Sequence, residues 1–231
     1  MSASRRLMSR LMCWTEAARS LANFLYPPFC LCCRQHLEQG SFLLCRTCMG
    51  SLQLADPASR CERCGLSESH HCHSTSLEGV GVCFEDDPII RTLLAASSSL
   101  ISPYIVLQWH ALGWPLPDYV VPTPGDWFSR GSDRWRLRQE IASSVASTLG
   151  RRSLRALALN RHRLPTPYLS LEEQRHDVDA SVLRLRHPRQ LINATVLLIH
   201  DTMTTGRALR TSASALCRGG ARAVWGLAIA Q

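Results

Sequence analysis

The segment Thr195-Val196-Leu197-Leu198-Ile199-His200-Asp201-Thr202-Met203-Thr204-Thr205-Gly206-Arg207-Ala208-Leu209 sets the frame for the whole chain. Thr195 to Ile199 is short, apolar and rich in branched side chains, the pattern of a strand buried on both faces of a parallel sheet. Asp201 follows it, then a Thr-rich turn ending in Gly206, then a stretch of helical composition from Ala208 to Leu216. Strand, hydroxyl-rich turn and helix start in that order make an anion site. Main-chain N–H groups and the positive helix terminus meet a phosphate, and Thr hydroxyls add donors. Asp201, at the C-terminal edge of the strand, then faces the sugar hydroxyls that such a phosphate carries. The alternative is an ordinary strand, turn and helix in which Thr and Gly serve only the turn.

A parallel sheet needs crossover helices, and 231 residues supply one sizeable α/β domain plus a small module. All 26 basic residues are arginine, which excludes P-loop and Schiff-base lysine chemistry. The net charge of +8 is uneven, because residues 1–129 hold nine Arg against eleven acids and residues 130–231 hold seventeen Arg against seven. A basic C-terminal half suits a polyphosphate or a nucleic acid without choosing between them.

The 11 cysteines are equally uneven: all but Cys83 and Cys217 precede residue 73. Cys30-x-x-Cys33 and Cys45-x-x-Cys48 form two knuckles whose four thiolates can close a tetrahedron around zinc, with Cys32 as a spare thiol. A redox role for these pairs is the competing reading. A third knuckle, Cys61-x-x-Cys64-Gly65, precedes His70-His71-Cys72-His73. Cys61, Cys64, Cys72 and one of those histidines would complete a second zinc shell; the alternative is a polar loop with unengaged thiols. Structural zinc sites are closed, so the metal would support folding and do no chemistry.

Elsewhere, Leu7, Leu11, Trp14, Ala18, Leu21 and Leu25 recur at helical steps before Pro27-Pro28. Gly79 to Phe84, Asp118 to Val121 and Ala223 to Ile229 read as strands, Pro88 to Leu100 and Gln139 to Leu149 as helices, and Arg184 to Arg189 as a loop with solvated arginines. The domains expected are residues 1–78, a helix with a Cys-rich zinc-binding module, and residues 79–231, an α/β domain. Leu11 to Asn23 lacks the apolar core of a signal peptide. The uncharged stretch Thr92 to Pro117 is interrupted by polar residues and prolines, so no membrane span is expected and the setting is cytoplasmic.

Two resemblances follow from these residues. The loop from Asp201 to Gly206 resembles the phosphoribosyl pyrophosphate loop of type I phosphoribosyltransferases, with His200 where those enzymes carry a first carboxylate. The chain as a whole resembles the ComF/GntX family of amidophosphoribosyltransferase-like proteins. That likeness spans the opening helix ending in Pro-Pro, the three knuckles, the Val121-Pro122-Thr123-Pro124 loop, Arg130-Gly131 and the Asp201 to Gly206 loop. Ser132-Asp133-Arg134 replaces the Phe-Asn-Gln usual after Arg-Gly. No lysine stands where the family has a Lys-Tyr-Gly-like segment; Ser102-Pro103-Tyr104 or Gln108-Trp109-His110 takes its place.

The resemblance implies a type I phosphoribosyltransferase-like parallel sheet flanked by helices, behind an N-terminal zinc-binding module. It implies phosphoribosyl pyrophosphate bound by Asp201, Thr202, Met203, Thr204, Thr205, Gly206 and Arg130, with Asp201 as the catalytic residue on the ribose hydroxyls and magnesium bridging pyrophosphate and ribose. Transfer of ribose 5-phosphate with loss of pyrophosphate, and a role in DNA uptake during natural transformation, come with it. The rival expectation is a catalytically inactive phosphoribosyl-phosphate- or single-stranded-DNA-binding protein, with Trp127 and Trp135 as stacking surfaces or as core. A third is an adaptor that docks partners through its zinc knuckles.

Overall fold

The computed structural model describes residues 27–37, 43–66, 76–96, 101–124, 134–160 and 182–231. The amphipathic helix expected over Leu7 to Leu25 lies outside them. The chain divides into two compact units, residues 1–52 and 53–231. Within the first, Phe29 and His36 form an isolated antiparallel bridge with their rings 4.5 Å apart. Cys30, Leu44 and Cys48 are buried, and helix α1 (Arg46–Gly50) starts at Cys45, whose sulfur accepts the Cys48 N–H at 3.4 Å.

The second unit is a five-stranded parallel sheet flanked by helices. Strand β1 (Gly79–Phe84) is followed by helices α2 (Pro88–Ala96) and α3 (Ser102–Ala111), strand β2 (Tyr119–Pro122), helix α4 (Arg134–Thr148) and strand β3 (Arg152–Ser153). A small antiparallel pair, β4 (Leu157–Leu159) and β5 (Leu183–Leu185), leads to helix α5 (Pro188–Leu191). Strand β6 (Thr195–Thr202), helix α6 (Arg207–Arg218) and strand β7 (Ala223–Ala230) complete it. The sheet order is β1-β7-β6-β2-β3 with every neighbour parallel.

Strand β6 sits at the centre, Leu198 opposite both Val121 and Gly226. Its alternation divides the core. Val196 and Leu198 join Leu209, Ala213 and Leu216 of α6 in one cluster, while Leu197 and Ile199, equally buried, have the opposite parity. This double burial explains the apolar run in the sequence.

Two expectations change in the structure. The boundary expected between Cys72 and Val80 lies at Leu52/Gln53, because the third knuckle packs with the sheet. Ala55 N–H donates to Cys83 C=O at 3.0 Å, Val80 N–H to Glu62 C=O at 2.8 Å, and Ala55 and Leu66 belong to the sheet's core. Arg184 is part of strand β5, and the arginine-rich loop shrinks to a turn around His187, whose φ is +54°. The uncharged stretch from Thr92 holds α3, where Gln108 Nε2 donates to Ala55 C=O at 3.2 Å and Val82 C=O at 2.9 Å and Trp109 is buried. Among the described residues no helix is long and apolar enough to cross a membrane.

Leu198 is fully buried at the centre of the sheet. Leu198→Ala is expected to lower unfolding free energy by about 2–5 kcal/mol, read as a fall in the urea midpoint with an unchanged slope.

Candidate functional site

The connections from β2 and β6 leave in opposite directions, one toward β3 and the other toward β7. Where neighbouring parallel strands diverge in this way, their C-terminal ends leave a crevice, and open α/β sheets bind ligands there. The residues at that point are Thr123 and Pro124 after β2, and His200 to Gly206 at the end of β6.

His200 and Asp201, near the end of β6, are both buried and engaged. His200 Nδ1 and Thr123 Oγ1 share a hydrogen bond of 2.8 Å. Asp201, 3% exposed, accepts from Arg138 Nε at 2.9 Å, and Arg138, 2% exposed, also donates through Nη1 to Pro124 C=O at 2.6 Å. One guanidinium therefore ties α4 to the ends of both β2 and β6. Burial pushes the Asp201 carboxyl up, but attraction from His200, 3.7 Å away, and from Arg138 outweighs it, so the acid sits below the ordinary carboxylate range. Asp201 has the parity of Leu197 and Ile199, the face that α4 must cover for Arg138 to reach it.

The turn beyond behaves differently from residue to residue. Met203 N–H is spent on Ala230 C=O at 2.8 Å and its side chain is buried, so this residue offers the crevice no donor. Thr204 is exposed, Thr205 is buried, and Arg207 N–H approaches the Thr205 hydroxyl at 3.4 Å. Gly206 takes φ +68°, a left-handed conformation suited to glycine, and starts α6 without a side-chain cap. Arg210 Nη1 donates to Thr205 C=O at 2.7 Å, which holds the turn from one helical turn further on. Among the described residues the main-chain N–H groups of Thr204, Thr205 and Gly206 make no hydrogen bond. Unsatisfied amides at the start of a 12-residue helix favour an anion by geometry and dipole.

Arg130, expected at this site, and Trp127, expected as a stacking surface or as core, lie outside the described residues, and Trp135 is half-buried on α4. Arg138 is a site residue that the sequence reading missed, whereas Thr123 belongs to the Val121 to Pro124 loop singled out there without a role for its side chain. The signal for Arg138 is present: it stands one helical turn before Ile141 and two before Val145, a charge in an otherwise buried stripe. A charge placed there needs a partner.

In the cysteine module, the sulfurs of Cys30, Cys33, Cys45 and Cys48 lie within 4.8 Å of one another, with Cys33 and Cys45 at 3.6 Å. Four sulfurs about 2.3 Å from a central zinc sit at this kind of separation, so the donor set fits a tetrahedral metal. Burial opposes ionisation of Cys30, but hydrogen bonds led by Cys33 and Cys45 prevail and pull its thiol down to about 6, which suits a metal-binding thiolate. Residues 21–84 match the double zinc ribbon domain. The cysteine-rich module binds zinc.

The match extends past the four-sulfur set to the Cys61/Cys64 knuckle. There Gly65 N–H donates to Cys61 C=O at 2.7 Å and Cys61 N–H to Leu66 C=O at 3.0 Å, closing a tight turn around the two thiols. Cys72 and its histidine neighbours lie outside the described residues. No curated protein matches the chain.

Elemental analysis of the purified chain should find zinc, and replacing Cys45 and Cys48 together by Ser should remove one equivalent. Arg138→Met should cost about 3–5 kcal/mol in chemical denaturation, because it strands a buried carboxylate. Asp201 is depressed in the folded state, so its stabilisation is complete above the unfolded value of about 3.9 and is lost as pH falls through the folded value. Acid titration of Asp201→Asn should therefore lack that part of the loss of stability below about pH 3.9.

Proposed function

We propose that the second unit binds the 5-phosphate of phosphoribosyl ligands, phosphoribosyl pyrophosphate among them, and has lost ribosyl transfer. On this reading the chain is a ComF-like protein that couples a zinc module to a phosphosugar-binding sheet. The observation that carries it is the set of unspent N–H groups of Thr204, Thr205 and Gly206 at the N-terminus of α6, in the crevice between β2 and β6.

The loss of transfer follows from the two residues beneath. Transfer passes through a cationic sugar while charge develops on departing pyrophosphate, so it relies on groups placed for that moment. His200 stands in place of a carboxylate and is held by Thr123, and Asp201 is already committed to Arg138. Binding of the phosphate needs neither residue to let go. The ComF resemblance adds a role beside DNA uptake, served by the arginine-rich half of the chain.

Isothermal titration with ribose 5-phosphate tests the reading. Heat is expected for the native chain, with a loss of about tenfold or more in affinity for Gly206→Val, whose Cβ would adopt a strained φ and meet Arg210 Nη1 at 3.1 Å. No heat at millimolar ligand defeats the proposal, and release of pyrophosphate from phosphoribosyl pyrophosphate defeats the loss of transfer. Retained binding to single-stranded DNA with a steep salt dependence, and none to ribose 5-phosphate, would favour the nucleic-acid alternative.

A further inference from the structure

A cavity of about 520 Å³ lies against the outer strand β1 of the second unit, between Gly79 to Val82, the end of α3 and the loop after Ala55. Volumes of this order suit a small molecule. The crevice between β2 and β6 lies on other strands. Two indoles make the apolar wall: Trp114 and Trp225 are each half-buried, with ring centroids 4.9 Å apart and planes tilted by 36°. They can lie over β1 because that strand carries glycine on this face. A Cβ at Gly79 would stand 3.0 Å from the Trp225 ring, and one at Gly81 would come within 3.1 Å of Trp114 and 2.5 Å of Leu112.

The polar groups around the rings keep unspent capacity of two kinds. Arg60 lines the cavity with its side chain 6% exposed; Glu85 takes its charge through two contacts of 2.8 Å, yet its Nε–H has no acceptor. The Trp225 indole N–H is buried and equally without one. A buried donor left unpaired is costly, which favours a ligand that brings an acceptor. Glu62 and Glu78 stand exposed at the same cavity, and neither carboxylate has a hydrogen bond or ion pair among the described residues. With Arg60 already neutralised by Glu85, the groups lining the cavity leave two negative charges unopposed.

We propose that this cavity binds a small organic ammonium compound with a methylated head and an oxygen acceptor beside it, as in an amino alcohol of the choline type. Indole faces attract a cation through their quadrupole, and unopposed carboxylates at the same cavity add attraction of the same sign. Methylation suits such a wall, because a bare ammonium is strongly hydrated and loses more on leaving water. The oxygen answers the donors of Arg60 and Trp225. An anion would be repelled by Glu62 and Glu78, and an uncharged aromatic would leave both carboxylates unanswered. The site is independent of the phosphate reading and stands whether or not ribose 5-phosphate binds.

The experiment is titration of the zinc-loaded full chain with choline, followed by indole fluorescence and calorimetry, beside the uncharged carbon isostere of choline. Saturable quenching is expected at millimolar choline, with the isostere binding about tenfold more weakly. No signal at millimolar choline overturns the proposal, and equal binding of the isostere overturns the choice of a cation. Trp114→Leu, with its fold checked by circular dichroism, should lose about tenfold in choline affinity. A folded Trp114→Leu chain that binds choline as the native one does overturns the location. Should that variant not fold, the double replacement Glu62→Gln/Glu78→Gln, which alters exposed side chains, should weaken choline by about threefold or more and leave the isostere unchanged. An unchanged choline affinity there overturns the proposal equally.

Discussion

A buried guanidinium meeting a buried carboxylate governs the C-terminal edge of this sheet. Removing either ion from water costs several kcal/mol even after relaxation, and the attraction between them repays it only when geometry is good and remaining donors are satisfied. Arg138 meets those terms with one bond to Asp201 and another to the carbonyl of Pro124. Helix α4 cannot slide or rotate on the sheet without breaking one of them. The ends of β2 and β6 are held in register at the point where their connections part, and the crevice between them keeps its shape for that reason.

The same pair changes what the edge can do. A free aspartate there would present two oxygens to a sugar or to a metal; a neutralised one presents neither charge nor hunger for a cation. Beyond it the backbone supplies what the side chain does not. Met203 closes the sheet through Ala230, and the amides that follow, with no partners among the described residues, open onto the start of α6. Interior and exterior thus meet within three residues.

Much of this was legible because period and burial agree. The apolar run at Thr195, the alternating run at Gly79 and the closing run at Ala223 are strands, and the first belongs to the centre of a parallel sheet, as a segment buried on both faces must. Paired cysteines were equally readable, since two-residue gaps leave thiols little else to do than converge. What escaped the sequence depends on partners far along the chain. Strands β4 and β5 are three residues each and pair only with one another, too short to carry a period of their own. Helix α3 mixes a buried Gln108 into its apolar side, and that glutamine is explained only by the carbonyls of Ala55 and Val82. Asp201 could be placed on a strand end, yet nothing local says that its counter-ion comes from α4. The third knuckle joined the sheet rather than the module before it for the same reason, through bonds from Glu62 and Ala55 to β1.

That knuckle is anchored at its other end as well. Arg60 reaches Glu85 at 2.8 Å, Gly65 C=O at 3.1 Å and the side chain of Gln231. Gly65 itself sits so close to the sheet that an added Cβ would come within 2.7 Å of Val80 and 3.0 Å of Met203. Met203 is the residue from which the turn between β6 and α6 departs. A side chain added at residue 65 would press on Val80 and on the Met203 methyl together, so the packing of the cysteine loop and that of the β6–α6 turn are coupled through the sheet.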